Sequence, residues 1–335
     1  MKKGILANAL ACVCMALTLG ACNPAIPEEE IVVYMPDGAP ALALAKLMHE
    51  DKADDGVSYK VVNAELIASK VTNQEESKNA DLCIMPLTAA SKLLGNGERY
   101  TMLATVTHGN LYLLSNTDEE ITADNLSSLV GKKVGVLQIN NVPGLTLKTV
   151  LNKYQIPWQE LTNEGSMAED KVNLVAINGP DAVGTIQADY FMIAEPAASA
   201  QAKKNYRIVG DLQRLYGGEN GYPQAVLVAK NEFVNEYSAW TKSFVEKLAI
   251  GSEWLFTASA DTLVNAVATH MEDPGVQTSL KAPMLSERVI RGCGIRFTYA
   301  ASDYQTINQF LTEMISVNDK SAAMPAQSFY WNYTK

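Results

Sequence analysis

The segment Lys133-Val-Gly-Val-Leu-Gln-Ile-Asn-Asn-Val-Pro143 joins a short apolar run to a polar turn, and a helical run follows it as far as Tyr154. The apolar run is continuous, as expected for a strand that helices cover on both faces. Proline suits the first turn of a helix, because the N–H that it lacks would have no partner there. The segment therefore predicts a strand, a turn and a helix in a parallel sheet.

The same junction of strand, proline-containing turn and helix recurs along the chain. Because strands alternate with helices, the sequence predicts an α/β fold of two doubly wound lobes with mainly parallel sheets. Ligands bind outside the carboxyl ends of such strands, where helix N-termini offer free N–H groups. We therefore expect a ligand cleft, although each turn by itself need only satisfy its own backbone. The other junctions span 31–49, 81–94, 172–187 and 190–203.

The N-terminus carries the pattern of an export signal. Two lysines precede an uncharged run that ends in the small residues before Cys22. This pattern predicts a signal peptide over 1–21 and resembles a bacterial lipobox, in which the cysteine takes lipid and becomes the first mature residue. An uncleaved signal-anchor helix is the alternative, because the apolar run approaches the ~18 residues of a membrane span. Residues 22–30 follow as a polar tether.

Length and charge indicate the size and class of the molecule. The chain has 335 residues and a net charge of −10 at pH 7, which argues against nucleic acid as a partner. A chain this long exceeds the size at which one core usually stops growing, so two lobes are expected. The chain is predicted to cross between the lobes near 110–116 and to return near 216–223, with hinge segments near 107–110 and 217–221. We therefore predict lobe 1 as 31–115 and 223–335, and lobe 2 as 116–222.

Cysteine and histidine are too sparse to suggest a metal or catalytic site. Beyond Cys22 the mature chain keeps Cys83 and Cys293, which either pair in an exported protein or stay as free thiols. The three histidines are widely separated in sequence, and we find no nucleophile–base pair, P-loop or metal signature. We expect no cofactor, no metal and no catalytic residue.

Two stretches resemble a known family. The runs 129–136 (Leu-Val-Gly-Lys-Lys-Val-Gly-Val) and 188–197 (Ala-Asp-Tyr-Phe-Met-Ile-Ala-Glu-Pro-Ala) are similar to segments of solute-binding proteins for nitrate, alkanesulfonates and thiamine-pyrimidine precursors. The lipobox and the first two junctions fall in the expected order, so the resemblance covers about 31–260 in organisation. It implies a type II periplasmic binding protein, a Venus-flytrap of two lobes that closes on its ligand.

The resemblance also implies a function and partners. We interpret the chain as the solute-binding component of an ABC importer, not an enzyme, that docks on an ABC permease and its ATPase. We expect an extracytoplasmic monomer, anchored to the bacterial cell membrane by lipid at Cys22. The expected ligand is a small polar or heteroaromatic molecule: a sulfonate, a nitrate-like anion or a pyrimidine precursor. The alternatives are an enzyme of the same fold acting on a small metabolite, and a lipoprotein that senses a ligand without transport.

The candidate ligand contacts lie in loops at strand ends. Asn141 and Asn178 suit helix capping with or without a ligand, and His108 suits a hinge as well as a contact. Asp37 and Glu195 would repel an anionic ligand if they faced the cleft unpaired. If they instead cap helix starts from outside the cleft, an anionic ligand remains possible. No arginine lies in a first-lobe junction, which favours a neutral, aromatic or zwitterionic ligand. The candidates are Asp37, Gly38, Ala39, Leu87, Thr88, Ala89, His108, Asn110, Asn140, Asn141, Asn178, Glu195, Tyr216 and Tyr222.

Overall fold

The computed structural model describes residues 27–51, 56–162 and 165–332 of the chain. The predicted signal peptide and the predicted lipidation site Cys22 lie outside these residues, and of the predicted tether only 27–30 lies within them, without helix or strand. Within the described ranges, no helix combines the length and apolar character that a membrane span requires.

The described residues form strands and helices in alternation over most of their length, as the sequence predicts. The strands are β1 (Ile31–Pro36), β2 (Val57–Val62), β3 (Leu82–Pro86), β4 (Tyr100–Thr107), β5 (Leu111–Ser115), β6 (Lys133–Leu137), β7 (Trp158–Glu160), β8 (Val172–Ile177), β9 (Tyr190–Ala194), β10 (Arg207–Asp211), β11 (Ala225–Lys230) and β12 (Ile295–Tyr299). The helices are α1 (Ala39–Ala43), α2 (Ala45–Glu50), α3 (Leu87–Leu94), α4 (Val142–Lys153), α5 (Ala197–Ala202), α6 (Leu212–Gly217), α7 (Asn231–Glu236), α8 (Ser238–Trp254), α9 (Ala260–Ala268), α10 (Glu287–Gly292) and α11 (Ala300–Val317).

The strands form two six-stranded sheets, with the orders β12-β4-β11-β3-β1-β2 and β10-β5-β9-β6-β8-β7. In the first sheet β1, β2 and β3 are parallel, β11 runs antiparallel between β3 and β4, and β12 is antiparallel to β4. In the second sheet β6 to β9 are parallel and β5 is antiparallel to both β9 and β10. Most strands of each sheet therefore run in one direction, which confirms the predicted α/β class with mainly parallel sheets.

Alternate residues of the central strands pack into different apolar clusters. In β1, Val33 and Met35 belong to a cluster that includes residues of α1, α2, α8 and α9. Between them, Tyr34 packs into a second cluster with residues of α3 and α11. Because a strand turns successive side chains to opposite faces, both faces of this sheet are covered. This double burial explains why the strands read as continuous apolar runs.

The chain crosses between the sheets twice, in 108–110 and in 212–224. The predicted boundary at 115/116 assigns β5 to lobe 1, but β5 pairs with β9 and β10 of the second sheet. In each sheet, the strand that follows a crossing (β5 or β11) is inserted antiparallel between two other strands. We therefore propose that lobe 2 begins at β5 and that β10 is its last strand. β10 ends at Asp211, before the predicted boundary at 222/223.

The helix predicted after β8 is wrong in its extent, because the structure has only a short turn there. The chain forms only a 3-10 turn over Pro180–Ala182 where the sequence predicts a helix over 181–187. Gly184 has a φ of +79°, a left-handed conformation that no α-helix contains. The hydroxyl of Thr185 donates instead to the carbonyl of Ala182 at 2.8 Å, which ends the turn.

Cys83 and Cys293 are both buried free thiols. Cys83 lies in β3, and Cys293 follows α10. Of the two alternatives that the sequence leaves open, the structure therefore has the unpaired one. Burial raises the pKa of both thiols far above the ordinary value, so neither is an activated nucleophile.

Candidate functional site

A cavity of about 570 Å³ lies where strand-end loops of the two sheets meet, and we call it the cleft. Residues from all five predicted junctions line it, including Pro36, Pro86, Leu137, Pro180 and Ala194. The cleft therefore lies at the carboxyl ends of parallel strands, where ligands bind in open α/β sheets. The candidates that line it are Asp37, Gly38, Ala39, Thr88, Ala89, Asn110, Asn141 and Glu195.

The other candidates lie outside the cleft lining. Leu87 is buried in the core, whereas Asn140 and Asn178 are exposed. Tyr222 is fully buried and stacks on Phe310 with ring centroids 5.4 Å apart. Tyr216 packs against the same two rings, and its hydroxyl donates to Glu313 at 2.6 Å. His108 faces a different cavity at the crossing.

Asp37 reaches the cleft, but donors already occupy its carboxylate. One oxygen accepts from the hydroxyl of Thr278 and the other from the backbone N–H of Ser279, each at 2.6 Å. Ser279 also lines the cleft. Both carboxylate oxygens of Asp37 are therefore hydrogen-bonded by donors of its own lobe, but these donors are neutral and do not cancel a negative charge beside the cleft.

Glu195 follows β9 and faces the cleft with 4% of its surface exposed. Its carboxylate accepts from the backbone N–H of Ser199 at 2.9 Å and from the Ser199 hydroxyl at 2.6 Å. Burial raises the pKa of Glu195 above its ordinary 4.5, while these two hydrogen bonds and Arg288 oppose the rise. Glu195 therefore caps the first turn of α5. Of the two alternatives that the sequence leaves for Glu195, this is the helix cap.

An amide network lies at the crossing side of the cleft. The Gln224 amide nitrogen donates to Asn110 Oδ1 at 2.9 Å, and the Asn110 amide nitrogen donates to the carbonyl of Glu195 at 3.2 Å. These bonds fix both amide orientations. Gln224 Oε1 is left buried without a hydrogen-bond donor, and such an atom gains from a ligand N–H or O–H.

Two helices begin at the cleft wall. Thr88 and Ala89 in the first turn of α3, and Val142 in that of α4, line the cavity. The first N–H groups of a helix have no intrahelical acceptor, and they carry the positive end of the helix dipole. The Leu87 N–H of α3 already donates to the Gln224 carbonyl at 2.9 Å, and Pro143 of α4 has no N–H. The remaining first-turn N–H groups of the two helices are the ones that could donate to a ligand.

The cleft lining has an unusual composition. Within the described residues, no arginine, lysine, histidine or aromatic side chain lines it. Its acidic members are Asp37, Glu65 and Glu195, and the remainder are small, aliphatic, proline, hydroxyl and amide residues. The aromatic candidates Tyr216 and Tyr222 are thus absent from the lining, and apolar surface supplies the larger part of the contact area.

No protein-family model and no curated protein sequence matches the chain. Among solved structures, the chain resembles an ABC transporter protein from Parabacteroides distasonis with a TM-score of 0.69, at 17% identity over 91% of this chain and 99% of that one. The chain has the fold of an ABC-transporter solute-binding protein. It also resembles the periplasmic aliphatic sulphonate binding protein SsuA from Escherichia coli, with a TM-score of 0.63 at 14% identity over 92% of this chain and 94% of that one.

A third relative was solved with a ligand. The alkanesulfonate-binding protein SsuA from Xanthomonas axonopodis pv. citri, bound to MOPS, gives a TM-score of 0.56 at 12% identity over 90% of this chain and 96% of that one. At these identities, each of the three similarities is a similarity of fold.

Several cleft residues escaped the sequence analysis of this solute-binding fold. Gln224 is the last residue of the second crossing, and Ser279 and Met284 follow it; all three come from segments without a strand–turn–helix pattern. Glu65 and its neighbours lie in a 3-10 helix over Ala64–Lys70 after β2. The one local signal in the sequence is the proline directly before Gln224, because it marks the end of a crossing just before a strand.

His108 lies at the first crossing, with Nε2 3.3 Å from Thr298 Oγ1 and 3.7 Å from Asp303. Burial lowers the pKa of His108 below its ordinary 6.5, although Asp303 opposes this, and Arg296 lowers it further. The unfolded chain therefore binds this proton more tightly than the folded chain does. Stability from His108 is complete above pH 6.5 and is lost as the pH falls below it.

We expect wild-type protein to lose more stability between pH 7.5 and pH 5.5 than His108→Gln does. Urea unfolding of both proteins at the two pH values measures the difference. In the wild type, burial raises the pKa of Asp303, but the neighbouring His108 and the hydrogen bond from Thr105 outweigh it and hold that pKa below its ordinary 3.8, so Asp303 does not titrate in this window. An equal loss in both proteins would show that the His108 pKa is unperturbed.

Proposed function

We propose that the protein is the extracytoplasmic solute-binding component of an ABC importer and holds a small molecule in the cleft. The observation that carries the proposal is that five strand-end junctions, from two sheets, line a single cavity of about 570 Å³, a volume typical of small-molecule sites. The shared fold supports it. A permease with its ATPase is the proposed partner, and the lipid anchor at Cys22 stays a prediction.

The composition of the cleft favours an uncharged ligand. Nitrate-like anions are usually read by arginine, and within the described residues no cationic side chain lines the cleft. Helix N-termini supply donors, and Gln224 Oε1 supplies an unpartnered acceptor. A neutral polar or heteroaromatic molecule with a donor beside an acceptor, such as a pyrimidine precursor, satisfies both. The competing ligand is a sulfonate, since two solved proteins of this fold are named as sulfonate-binding.

Binding fits the cleft better than catalysis does. A nucleophilic site needs a nucleophile and a base within hydrogen-bond reach. The hydroxyls of Ser199 and Thr278 do lie 2.6 Å from the carboxylates of Glu195 and Asp37, but neither hydroxyl-bearing residue lines the cleft, so neither pair is placed to attack a ligand there.

The proposal is tested by a thermal-shift screen of the purified protein. The panel holds nitrate, alkane- and arylsulfonates, aminopyrimidines, riboflavin and amino acids. A ligand at 100 times its dissociation constant stabilises by about 2.7 kcal/mol, which is visible as a shift of several degrees. A saturable shift without turnover supports binding; turnover of the compound that shifts would instead support the enzyme alternative.

Filling the cleft should abolish this shift. Ala89→Phe adds a ring to a half-buried residue of the lining, and we expect at least tenfold weaker binding of the compound found in the screen. Ala123→Phe places the same ring on an exposed residue outside the lining and should bind as wild type does. Equal affinity of both variants would show that the ligand binds elsewhere.

A further inference from the structure

A second cavity, of about 560 Å³, lies at the crossing between the sheets, and we call it the hinge cavity. The first crossing separates it from the cleft: Thr107 and Asn110 line the cleft, whereas His108 and Gly109 line the hinge cavity. Its walls come from α6, which follows the second sheet, and from the segment α10 to β12 of the first. A ligand here would therefore touch both lobes.

Arginines distinguish the hinge cavity from the cleft. Arg214, Arg288, Arg291 and Arg296 all line it. Arg214 lies 3.8 Å from the carboxylate of Asp211, and Arg291 lies 2.6 Å from that of Glu287. Two of the four guanidinium groups are therefore already compensated by carboxylates.

The hydrogen-bond acceptors of Arg288 and Arg296 in the described residues are neutral, although the charge of Arg288 also acts on the Glu195 carboxylate. Arg288 donates to the Ser199 hydroxyl at 3.0 Å. Arg296 donates to the side-chain oxygen of Asn220 at 3.2 Å and to its carbonyl at 2.8 Å. Guanidinium groups bind carboxylates and phosphates far more strongly than neutral oxygens, so both keep capacity for an anion.

A buried donor in the same wall is also unsatisfied. Gln213 Oε1 accepts from the N–H of Leu111 at 2.7 Å, which fixes the amide so that its nitrogen is free. That nitrogen is buried and forms no hydrogen bond of ordinary geometry, although the Tyr112 hydroxyl lies close to it. A buried amide donor without an acceptor is costly, and a ligand oxygen would satisfy it.

The carboxylates of the hinge cavity are Glu195, Asp211 and Glu219. Asp211 accepts from the N–H of Arg214 at 3.1 Å, and Glu195 is held by Ser199. Glu219 is exposed, as are Arg288 and Arg296, and water screens the charges of all three. The groups left with unused capacity in the wall are thus mainly donors.

We propose that the hinge cavity is a second binding site, which takes the oxyanion group of a small molecule, a carboxylate or a phosphate, on Arg288, Arg296 and Gln213. This site differs from the cleft in charge and position. The two sites share Glu195.

The occupied hinge cavity would act on the cleft. Arg288 donates to Ser199 Oγ, which donates to Glu195 Oε1. An anion that binds Arg288 would draw it away from Ser199 and so weaken the hydrogen bonding of the Glu195 carboxylate, which lines the cleft. Coupling of this kind is reciprocal between the two ligands. This step rests on the proposed function, whereas the existence of the anion site does not.

The test uses inorganic phosphate and citrate as probes, with sodium chloride at matched ionic strength as the reference. Calorimetric titration and thermal shift are measured on full-length wild type, Arg288→Gln/Arg296→Gln, Arg99→Gln/Arg207→Gln and Ala89→Phe. The second double variant removes the same charge from two arginines outside both cavities, paired with Glu76 and Asp118. We expect saturable binding in wild type, in that control and in Ala89→Phe, and at least tenfold weaker binding in Arg288→Gln/Arg296→Gln.

Three results would overturn the proposal. One is unchanged affinity in Arg288→Gln/Arg296→Gln, and another is a response no larger than that to sodium chloride. The third is loss of the response in Ala89→Phe alone, which would place the anion in the cleft and leave the proposed function standing. Failure of the cleft screen with an intact phosphate response would instead reject the proposed cleft ligands and keep the hinge site.

Discussion

Gly294→Ala is expected to lower the free energy of unfolding by about 3 kcal/mol or more. Gly294 has a φ of +64°, and a Cβ built on it would lie 1.9 Å from the carbonyl oxygen of Gly109. The obstacle is backbone, and His108 N–H donates to the Gly294 carbonyl at 2.8 Å, so neither segment can move aside cheaply. Urea unfolding followed by circular dichroism measures the loss.

Gly217→Ala is the matched control for that substitution. Gly217 lies at the end of α6, near the second crossing, and has a φ of −137°, and a Cβ added to it would meet no atom within 4 Å. We expect its stability to stay within about 0.5 kcal/mol of wild type. If Gly294→Ala were equally mild, the two backbone segments at the crossing would have to separate freely.

Lys148→Met is expected to cost about 2 kcal/mol of stability. Lys148 is 2% exposed in α4, and its ammonium donates to the Ile139 carbonyl at 2.9 Å and to Glu160 at 2.6 Å. Methionine keeps most of the volume but leaves that buried carbonyl without this donor. Since Ile139 lies between the cleft residues Gln138 and Asn141, ligand affinity should fall as well. Chemical unfolding and titration of the same variant measure both effects.

Lys78→Met removes a lysine from a salt bridge that is exposed on both sides, with Glu75 at 2.7 Å. Exposed pairs contribute little, so this variant should stay within about 0.5 kcal/mol of wild type. A Lys148→Met protein as stable as Lys78→Met would mean that the cost of burying the ammonium cancels its hydrogen bonds.

The strand-end junctions were predictable because their signals are local. A continuous apolar run, a turn with proline and a helical run occupy consecutive residues, and together they locate β1, β3, β6 and β9 and the loops that line the cleft. The rule that ligands bind at the carboxyl ends of such strands then gives the approximate place of a site. Which loop side chains face the cavity is a finer matter that depends on backbone angles.

Contacts between distant segments were beyond the reach of the sequence. Tyr216 and Tyr222 lie near the second crossing, but their position beside Phe310 depends on α11 packing there. The pairing of β5 with β9 depends on a strand that is about 80 residues away along the chain. Arg291 and Arg296 lie far from Arg214 in the sequence, and only the fold brings them together with it at the hinge cavity.

The position of β11 bears on how the chain acquires its structure during synthesis. β3 and β4 are complete by residue 107, yet they do not pair with each other, because β11 lies between them and begins at Ala225. The strands β5 to β10, in contrast, are continuous in sequence. As the chain emerges from its N-terminus, the second sheet can therefore assemble while the first still has two open edges. Chains truncated before Ala225 should expose those edges and be the preferred substrates of proteases and chaperones.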